Sequence, residues 1–438
     1  MQSSVMVRGS RSEDVRIRAH MSVPFALLIG LSAAPADDAL TAWVRHLEAT
    51  VIERRELAPG PPFAVEIVVP AALEAAAREE RPPELCARAA AYEAFGLADP
   101  GTIGAACDAW PIDAGGTFDA HGERILCRDA GPEPRRRIEA VHAVVGALLG
   151  RHHGHHVARG QEEPSLNDDV QRARRALREG EAHWISGRLL ADEARAIAST
   201  LSEEDDPREA VASRRSARLA RAGAPSFVRE ADALARTAGV EFVRVLFAAG
   251  GWPAVDAAVA DPQLTTEHLL HPGRYLDAVT RDQPRAIELA PLVERWPEGM
   301  EPAELVVENS LGEFGVGEFI RMAGDPVRAV GVADGWDGDR YRLFAFESGA
   351  TLLQWEARFD REEDAAEAID ALRKVLQRRF HEKIVGEPFD IVMDAEKISV
   401  TARDEVGRTH SIARREGDHV LWLDARGTPL DAAVLLGE

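Results

Sequence analysis

Helical and strand patterns occupy different parts of this chain. Between residues 134 and 250, most apolar residues recur at the three- and four-residue spacing of a buried helix face. Beyond residue 340, short apolar runs are separated by polar turns, as in antiparallel strands. Runs of helices followed by runs of strands are typical of α+β proteins. We therefore predict an α+β fold with a mainly helical core, a small mixed sheet and a C-terminal α/β region.

The same patterns predict individual elements. Helices are expected at 39–54, 71–97 with a break at Pro82-Pro83, 134–149, a helix pair within 165–202, 227–250 and 362–379. Strands are expected at 63–70, 124–127, 340–346, 351–358, 389–393, 397–402 and 418–424. Residues 101–128 are expected to be irregular before their short strand, and the charged segment 201–221 to be a solvated loop or surface helix. Gly250-Gly251-Trp252-Pro253 is expected to end its helix sharply.

The N-terminal residues have the layout of a secretory signal. The basic stretch 16–20 precedes an apolar run at 23–34, and Ala34-Pro35-Ala36 provides small residues for cleavage. The run is too short to span a bilayer, and no later segment has ~20 uninterrupted apolar residues. We expect residues 1–36 to be a signal peptide, the protein to be periplasmic or extracellular, and no segment to span a membrane. The alternative is a buried first helix or strand in a cytoplasmic protein.

Charge and cysteine content restrict the partners and the redox chemistry. The chain has 52 Lys and Arg against 74 Asp and Glu, a formal charge of -22 that repels phosphate backbones, so no nucleic acid partner is expected. Cys86, Cys107 and Cys127 are too few for a disulfide scaffold. In an exported protein we expect Cys107 to pair with Cys127, because both flank one loop-rich stretch. The alternative is three buried thiols.

One predicted helix carries a histidine among apolar residues. The segment Ile138-Glu-Ala-Val-His142-Ala-Val-Val-Gly146-Ala-Leu-Leu-Gly-Arg-His-His153 resembles the active helix of secreted bacterial zincin-like metallopeptidases of the gluzincin type. In the HExxH motif of that family, histidines one turn apart bind zinc, and the glutamate takes a proton from zinc-bound water. By the resemblance, His142 stands at the first ligand position, Ala143 at the general base and Gly146 at the second ligand. Neither alanine nor glycine can replace the lost groups, so no catalytic residue is expected.

A second segment resembles the family's source of a third ligand. In Leu177-Arg-Glu179-Gly180-Glu181-Ala182, Glu179 falls on the matching position. His142 and Glu179 are two vestigial metal positions, whereas a catalytic zinc needs three protein ligands and a water. No cofactor is therefore expected. The nearby His152, His153, His155 and His156 lie too far along the helix to complete this site. They form either a separate weak chelating cluster or a solvated polar loop.

Further landmarks extend the resemblance over about residues 97–376. They are Gly115 to Asp119, Phe242 to Trp252, Thr265 to Tyr275, Leu311-Gly-Glu313 and Gly335 to Tyr341. The resemblance implies possible vestigial cleft roles for His271 and Tyr275, since related peptidases use such side chains to stabilise an oxyanion. The alternative is that both residues cap and pack. We interpret Asp337, Asp339 and Arg340 as a structural turn with an ion pair, and Trp252 and Trp336 as core anchors.

These observations lead to an expected function and domain organisation. After the signal, residues 37–98 would form an N-terminal part, 99–292 the zincin-like core and 300–438 the C-terminal region, with an interruption at 291–304. We expect a pseudopeptidase that binds a peptide or protein without cutting it. One alternative is an active hydrolase whose zinc is held by His142, Glu179 and a residue from another element. The other is a structural or assembly partner in the envelope.

Overall fold

The computed structural model describes most of the chain. The described residues are 34–35, 38–69, 71–73, 83–108, 116–119, 123–128, 133–154, 167–197, 220, 223–277, 279, 281–290, 292, 303–322, 326–383, 390–404, 407–427, 432 and 435. Residues 1–33 of the predicted signal, the charged segment before residue 220, and both His155 and His156 lie outside these residues, whereas Ala34 and Pro35 of the expected cleavage site are described. The signal peptide therefore stays a prediction.

The described residues form thirteen α-helices and eleven strands. The helices are α1 Asp38–Arg55, α2 Pro83–Ala87, α3 Ala89–Phe95, α4 Thr102–Asp108, α5 Glu133–His153, α6 Asp168–Ile197, α7 Ser226–Ala233, α8 Val240–Val259, α9 Thr266–Leu270, α10 Pro272–Leu276, α11 Gly312–Arg321, α12 Pro326–Asp334 and α13 Glu362–Lys383. The strands are β1 Ala34–Pro35, β2 Ala64–Val68, β3 Gly116–Asp119, β4 Arg124–Arg128, β5 Ala303–Asn309, β6 Trp336–Phe346, β7 Thr351–Phe359, β8 Asp390–Met393, β9 Lys397–Asp404, β10 Gly407–Glu416 and β11 His419–Arg426. A π-helical turn, Ala235–Gly239, joins α7 to α8.

Two sheets divide the strands, and the fold mixes helices with both. The first is a small mixed sheet in the order β1-β2-β4-β3, in which β2 and β4 are parallel and the outer pairs are antiparallel. The second has seven strands in the order β5-β6-β7-β11-β10-β9-β8, all paired antiparallel. The predicted pair at 340–346 and 351–358 is confirmed as β6 and β7. The insertion of β11 between β7 and β10 makes this sheet larger than the sequence pattern indicated.

The largest buried cluster runs through both parts of the chain. It includes Leu40 of α1, Val144 of α5 and Trp422 of β11. Phe95 lies at its centre, where its ring contacts Tyr341 and Trp355 at centroid distances of 5.2 and 6.3 Å. Helices and sheet therefore share one apolar core. The interpretation of Trp252 and Trp336 as core anchors is confirmed, because both are buried.

Two predicted elements differ from the structure, and one predicted helix end is confirmed. The expected helix pair within 165–202 is one long helix, α6, in which Gly180 packs closely against Gly239. The expected sharp helix end at Gly250-Gly251 is confirmed, because both residues have non-helical backbone angles and α8 consists of two helices that meet at a kink there; Gly251 has a φ of 65°, which glycine adopts without a Cβ clash. The stretch 101–128 is less irregular than expected, because it contains α4 and β3 as well as β4.

The disulfide joins a different pair of cysteines from the one expected. Cys86 of α2 is bonded to Cys107 of α4, with their Cα atoms 5.9 Å apart. The expected pairing of Cys107 with Cys127 is wrong, because β4 lies in the small sheet and buries the Cys127 side chain in the core. The prediction rested on the loop-rich stretch between Cys107 and Cys127, which carries no information on the contact between α2 and α4.

One long apolar stretch meets the length and composition criteria for a membrane span. It runs from Ser226 to Val259, and 39% of its most apolar window is buried inside the protein. Core helices of water-soluble proteins meet the same criteria, and Phe242, Val243 and Leu246 of this stretch belong to the main core. The expectation that no segment spans a membrane stays a prediction.

Candidate functional site

Helix α5 is buried on most sides but leaves one stripe accessible. Between residues 140 and 149 every position is buried except His142, which is exposed, and Gly146, which is half-buried. The two positions are four residues apart and so lie one turn apart on the same face. These are the positions that the resemblance assigns to the two histidine ligands. A Cβ placed at Gly146 would meet no atom within 4 Å, so space is present where the second ligand would stand.

Helix α6 provides the groups that face this stripe. The ring of His183 stacks on that of His142 with centroids 4.4 Å apart and planes at 25°, and Ser186 Oγ lies 3.5 Å from His142 Nδ1. Glu179 is half-buried one turn before His183 and seven residues before Ser186, on the same face of α6. The structure thus places the predicted ligands His142 and Glu179 on the facing surfaces of two neighbouring helices.

The second histidine ligand and the general base that the resemblance implies are absent from their positions on α5. Ala143, at the general-base position, is buried with a relative exposure of 7% and has no acid or base group. Among the described residues, two groups of three or more His, Cys, Asp or Glu side chains bring their ligand atoms close together, and neither contains His142 or Glu179. The vestigial character of the two positions stays a prediction that these observations support.

The first of those groups lies at the C-terminal end of α5. It consists of His152, His153 and Asp256, which are joined to Glu181 and Arg55. The Arg55 guanidinium donates to Glu181 Oε1 at 2.5 Å and to Asp256, while His153 Nε2 is 3.0 Å from Glu181 Oε2. His152 and His153 are therefore in a helical turn bonded to carboxylates, and the expectation of a polar loop is wrong for these two residues. Because Arg55 already supplies a positive charge, this group is an ion-pair network.

The second group forms where three sequence landmarks meet. His271 at the start of α10, Glu313 in the first turn of α11 and Asp334 at the end of α12 place their ligand atoms within 4.8 Å of one another. His271 Nε2 is 2.8 Å from Glu313 Oε1 and 3.1 Å from Asp334 Oδ1. Hydrogen bonding to Glu313 raises the pKa of His271 above its usual value. We call these three residues the His271 cluster.

Two buried carboxylates hold the helices that present this cluster. Asp169 of α6 accepts hydrogen bonds from the Thr266 backbone N–H and hydroxyl at the start of α9. Asp339 accepts the backbone N–H groups of Leu311 and Gly312 at the start of α11, at 2.8 and 2.9 Å. Both carboxylates satisfy donors that a helix N-terminus leaves without intrahelical partners. They therefore fix the positions of His271 and Glu313 relative to each other.

Asp337 and Arg340 form ion pairs, as expected, but together with Asp339 they lie in a strand and not in a turn. Asp339 is buried inside β6, and both Trp336 and Trp355 donate their indole N–H groups to it. Asp337 instead pairs with Arg285, and Arg340 pairs with Glu308. The register of β6 shifts between Trp336 and Asp339, so Asp337 and Gly338 form a bulge in a strand. Its role is structural, as expected, but the turn assignment is wrong.

Tyr275 lies in a packed environment beside the cluster. Its ring contacts Phe242 and His268 at centroid distances of 5.2 and 5.4 Å, and its hydroxyl donates to Asp261 at 3.2 Å. Burial raises the pKa of Tyr275 to about 12. These contacts are those of a packing residue, whereas His271 is joined to the buried Glu313 and to the partly exposed Asp334. The two residues that the resemblance assigned to one cleft therefore have different surroundings.

Acidic groups accumulate around His271. Glu267 is buried and accepts a hydrogen bond from Arg274 at 2.7 Å, and burial raises its pKa to about 8. Arg274 also binds Asp334 at 3.0 Å. Burial likewise raises the pKa of Glu313. Negative charges that lie close together make the ionisation of these carboxylic acids unfavourable. A bound cation would stabilise their ionised form.

Sequence reasoning missed several of these residues. His183 and Ser186 gave no signal because neither is part of a metal-ligand motif, although both lie on the Glu179 face of α6. Asp334 precedes the landmark Gly335 to Tyr341 by one residue, and Glu267 lies inside the landmark Thr265 to Tyr275. The spacing of Glu267 and His271, one helical turn apart in TEHLLH, was the one available signal for an acidic cluster.

Comparison with known proteins adds a match for the C-terminal part alone. Residues 303–433 match a family model described as a domain of unknown function (DUF8575). The matched segment begins at β5 and contains the whole seven-stranded sheet. No curated protein and no solved structure matches the chain. The matched segment includes Glu313 and Asp334, whereas His271 lies outside it.

Proposed function

We propose that this protein is a non-catalytic homologue of the zincin-like metallopeptidases, which binds a peptide or protein segment beside α5 without cutting it. The observation that carries the proposal is the accessible stripe of α5. Between residues 140 and 149, α5 is accessible only at the two positions at which the family holds zinc, and it has one histidine, an open space and no general base there. The fold can persist because its packing does not depend on the few side chains that catalyse.

The immediate surroundings of α5 support this proposal. The helix follows directly after the small mixed sheet, and α6 runs beside it with Glu179 on the facing side. This is the arrangement that the resemblance implies for the metal helix and the helix of the third ligand. Export is part of the proposal, and the Cys86–Cys107 disulfide supports it because such bonds persist in oxidising compartments.

An active hydrolase with a displaced zinc is the second candidate, and His183 is the residue that favours it. It adds a third nitrogen or oxygen ligand to His142 and Glu179. However, imidazole lone pairs lie in the ring plane, and the two rings are stacked at 25°. The nitrogen lone pairs of His142 and His183 therefore lie in two nearly parallel planes and do not point to one place. One of the two rings would have to rotate before both could bind the same zinc ion. The observed arrangement therefore favours the non-catalytic candidate over the hydrolase.

The test uses the full chain and denatured casein with added zinc. We expect casein to be retained and to remain intact by mass spectrometry, because α5 has no general base. Gly146→Phe should weaken retention at least ten-fold by filling the open space. The matched control is Gly331→Phe, since Gly331 is an exposed helical glycine whose Cβ would also meet nothing within 4 Å.

Two outcomes of this test contradict the proposal. Chelator-sensitive cleavage of casein by the wild-type chain would establish the displaced-zinc hydrolase. Absence of both cleavage and retention, or equal retention by Gly146→Phe and the wild type, would leave α5 without a ligand. That last result would favour the structural or assembly partner.

A further inference from the structure

We propose that the His271 cluster is a binding site for a divalent transition-metal ion, separate from the vestigial positions on α5. The proposal concerns His271, Glu313 and Asp334, and it goes beyond the proposed peptide-binding function without depending on it. Three landmarks that are distant in sequence bring these side chains to one place. The imidazole and carboxylate groups are the ligand types that such ions use.

The spacing of the ligand atoms fits one ion. Bonds of about 2.0–2.2 Å to nitrogen and oxygen place neighbouring ligand atoms about 3.0–3.5 Å apart. His271 Nε2 lies 2.8 Å from Glu313 Oε1 and 3.1 Å from Asp334 Oδ1. All three ligand atoms lie within 4.8 Å of one another, so the side chains already converge on one place.

Two buried oxygen atoms provide an independent indication of a missing partner. Within the described part of the chain, Glu313 Oε2 and Glu267 Oε2 are buried and have no hydrogen-bond partner. Their side chains are only 4% and 1% exposed. The other oxygen of Glu313 bonds His271, which directs this carboxylate into the cluster. A buried carboxylate oxygen without a partner is costly, and coordination to a cation would satisfy it.

The local charge has the sign that a cation requires. With all carboxylates ionised and His271 neutral, Glu267, Glu313 and Asp334 contribute three negative charges against the one positive charge of Arg274, which leaves two negative charges in excess. A divalent ion would neutralise this excess.

The surrounding groups hold the three ligands in place. Arg274 binds Asp334 through its guanidinium and also binds Glu267, so one side chain orients a ligand and the neighbouring acid. The His271 backbone N–H donates to the Glu267 carbonyl at 2.8 Å, which fixes the start of α10. Asp334 and His271 are partly exposed, at 49% and 27% of their side chains. An ion can thus reach the site from solvent, and positions remain for water ligands.

The experiment uses full-length protein freed of metal by chelator and then titrated with Zn²⁺ alone in equilibrium dialysis. We expect one high-affinity zinc per chain. His271→Ala and Asp334→Asn should each lower the affinity at least ten-fold, and circular dichroism should show that both variants remain folded because both residues are partly exposed. His152→Ala and His142→Ala are controls that should bind zinc like the wild type, since they alter the other group and the α5 stripe.

The controls separate this proposal from the proposed function. Zinc lost in His142→Ala but kept in His271→Ala would overturn the His271 site and would support the displaced-zinc hydrolase. Zinc lost only in His152→Ala would assign the ion to the network at the end of α5, and it would also overturn the proposal. Failure of the wild type to bind zinc more tightly than about 10⁻⁴ M, which corresponds to roughly 5.5 kcal/mol of binding free energy, would exclude the site.

Discussion

Gly180→Ala is expected to lower the free energy of unfolding by about 3 kcal/mol or more. A Cβ at Gly180 would lie 2.7 Å from the carbonyl oxygen of Gly239 and 2.8 Å from its Cα, so α6 and the π-helical turn would have to separate. Overpacking of this kind typically costs 1–3 kcal/mol, and here the opposing atoms are backbone, which cannot rotate away. Urea unfolding followed by circular dichroism measures the change.

Gly146→Ala is the matched control for this prediction. Gly146 is also a glycine inside a long helix, but its Cβ would meet nothing within 4 Å. Alanine is favoured over glycine in a helix by roughly 0.5–1 kcal/mol, so this variant should be as stable as the wild type or more stable. If both variants had the same stability, the close contact between Gly180 and Gly239 would be disproved.

Arg55→Ala is expected to destabilise the protein by about 3–5 kcal/mol. Arg55 and Glu181 are 1% and 0% exposed and form a hydrogen-bonded pair at 2.5 Å. Loss of the guanidinium leaves the Glu181 carboxylate buried beside His153 alone, and removal of one partner of a buried ion pair has a cost of this size. The variant also loses the stacking of the guanidinium on Trp252, at 4.2 Å from the ring centroid. Thermal and urea unfolding provide the measurement.

Two further variants test the cause of this destabilisation. Arg55→Met combined with Glu181→Leu should regain most of the stability, because an apolar pair of similar volume leaves no buried charge. Arg244→Ala removes an ion pair with Glu241 at the surface, where the two side chains are 58% and 52% exposed, and it should leave the stability close to that of the wild type. Equal losses in Arg55→Ala and Arg244→Ala would show that Arg55 is not a buried structural cation.

The sequence pattern predicted local structure better than long-range structure. The pairing of β6 with β7 and the helix α13 followed from apolar spacing, because neighbouring elements with short connections leave few arrangements. The place of β11 beside β7 did not follow, since strand order is set by packing between distant segments. The helix pair expected within 165–202 is the clearest local difference, because α6 is one continuous helix in which Gly180 packs against Gly239, fifty-nine residues later.

The candidate site was predictable only where a motif existed. His142, Gly146 and Glu179 were found from motif spacing, and the structure brings their helices together. His183 and Asp334 were not found, because their roles arise from helix packing and carry no spacing signal of their own. The resemblance grouped Tyr275 with His271 in one cleft. One turn of α10 is enough to direct the tyrosine toward Phe242 and the histidine toward Glu313.

Zinc content of Gly146→His is the measurement that tests the central claim, namely that α5 is a metal helix that has lost its ligands. With His142 one turn away and Glu179 on the facing helix, the account predicts that Gly146→His binds one zinc per chain more than Gly146→Ala. The additional zinc should disappear when His142→Ala is introduced as well. A folded Gly146→His variant with the same zinc content as Gly146→Ala would contradict the assignment of α5 and, with it, the proposed relation to the zincin-like peptidases.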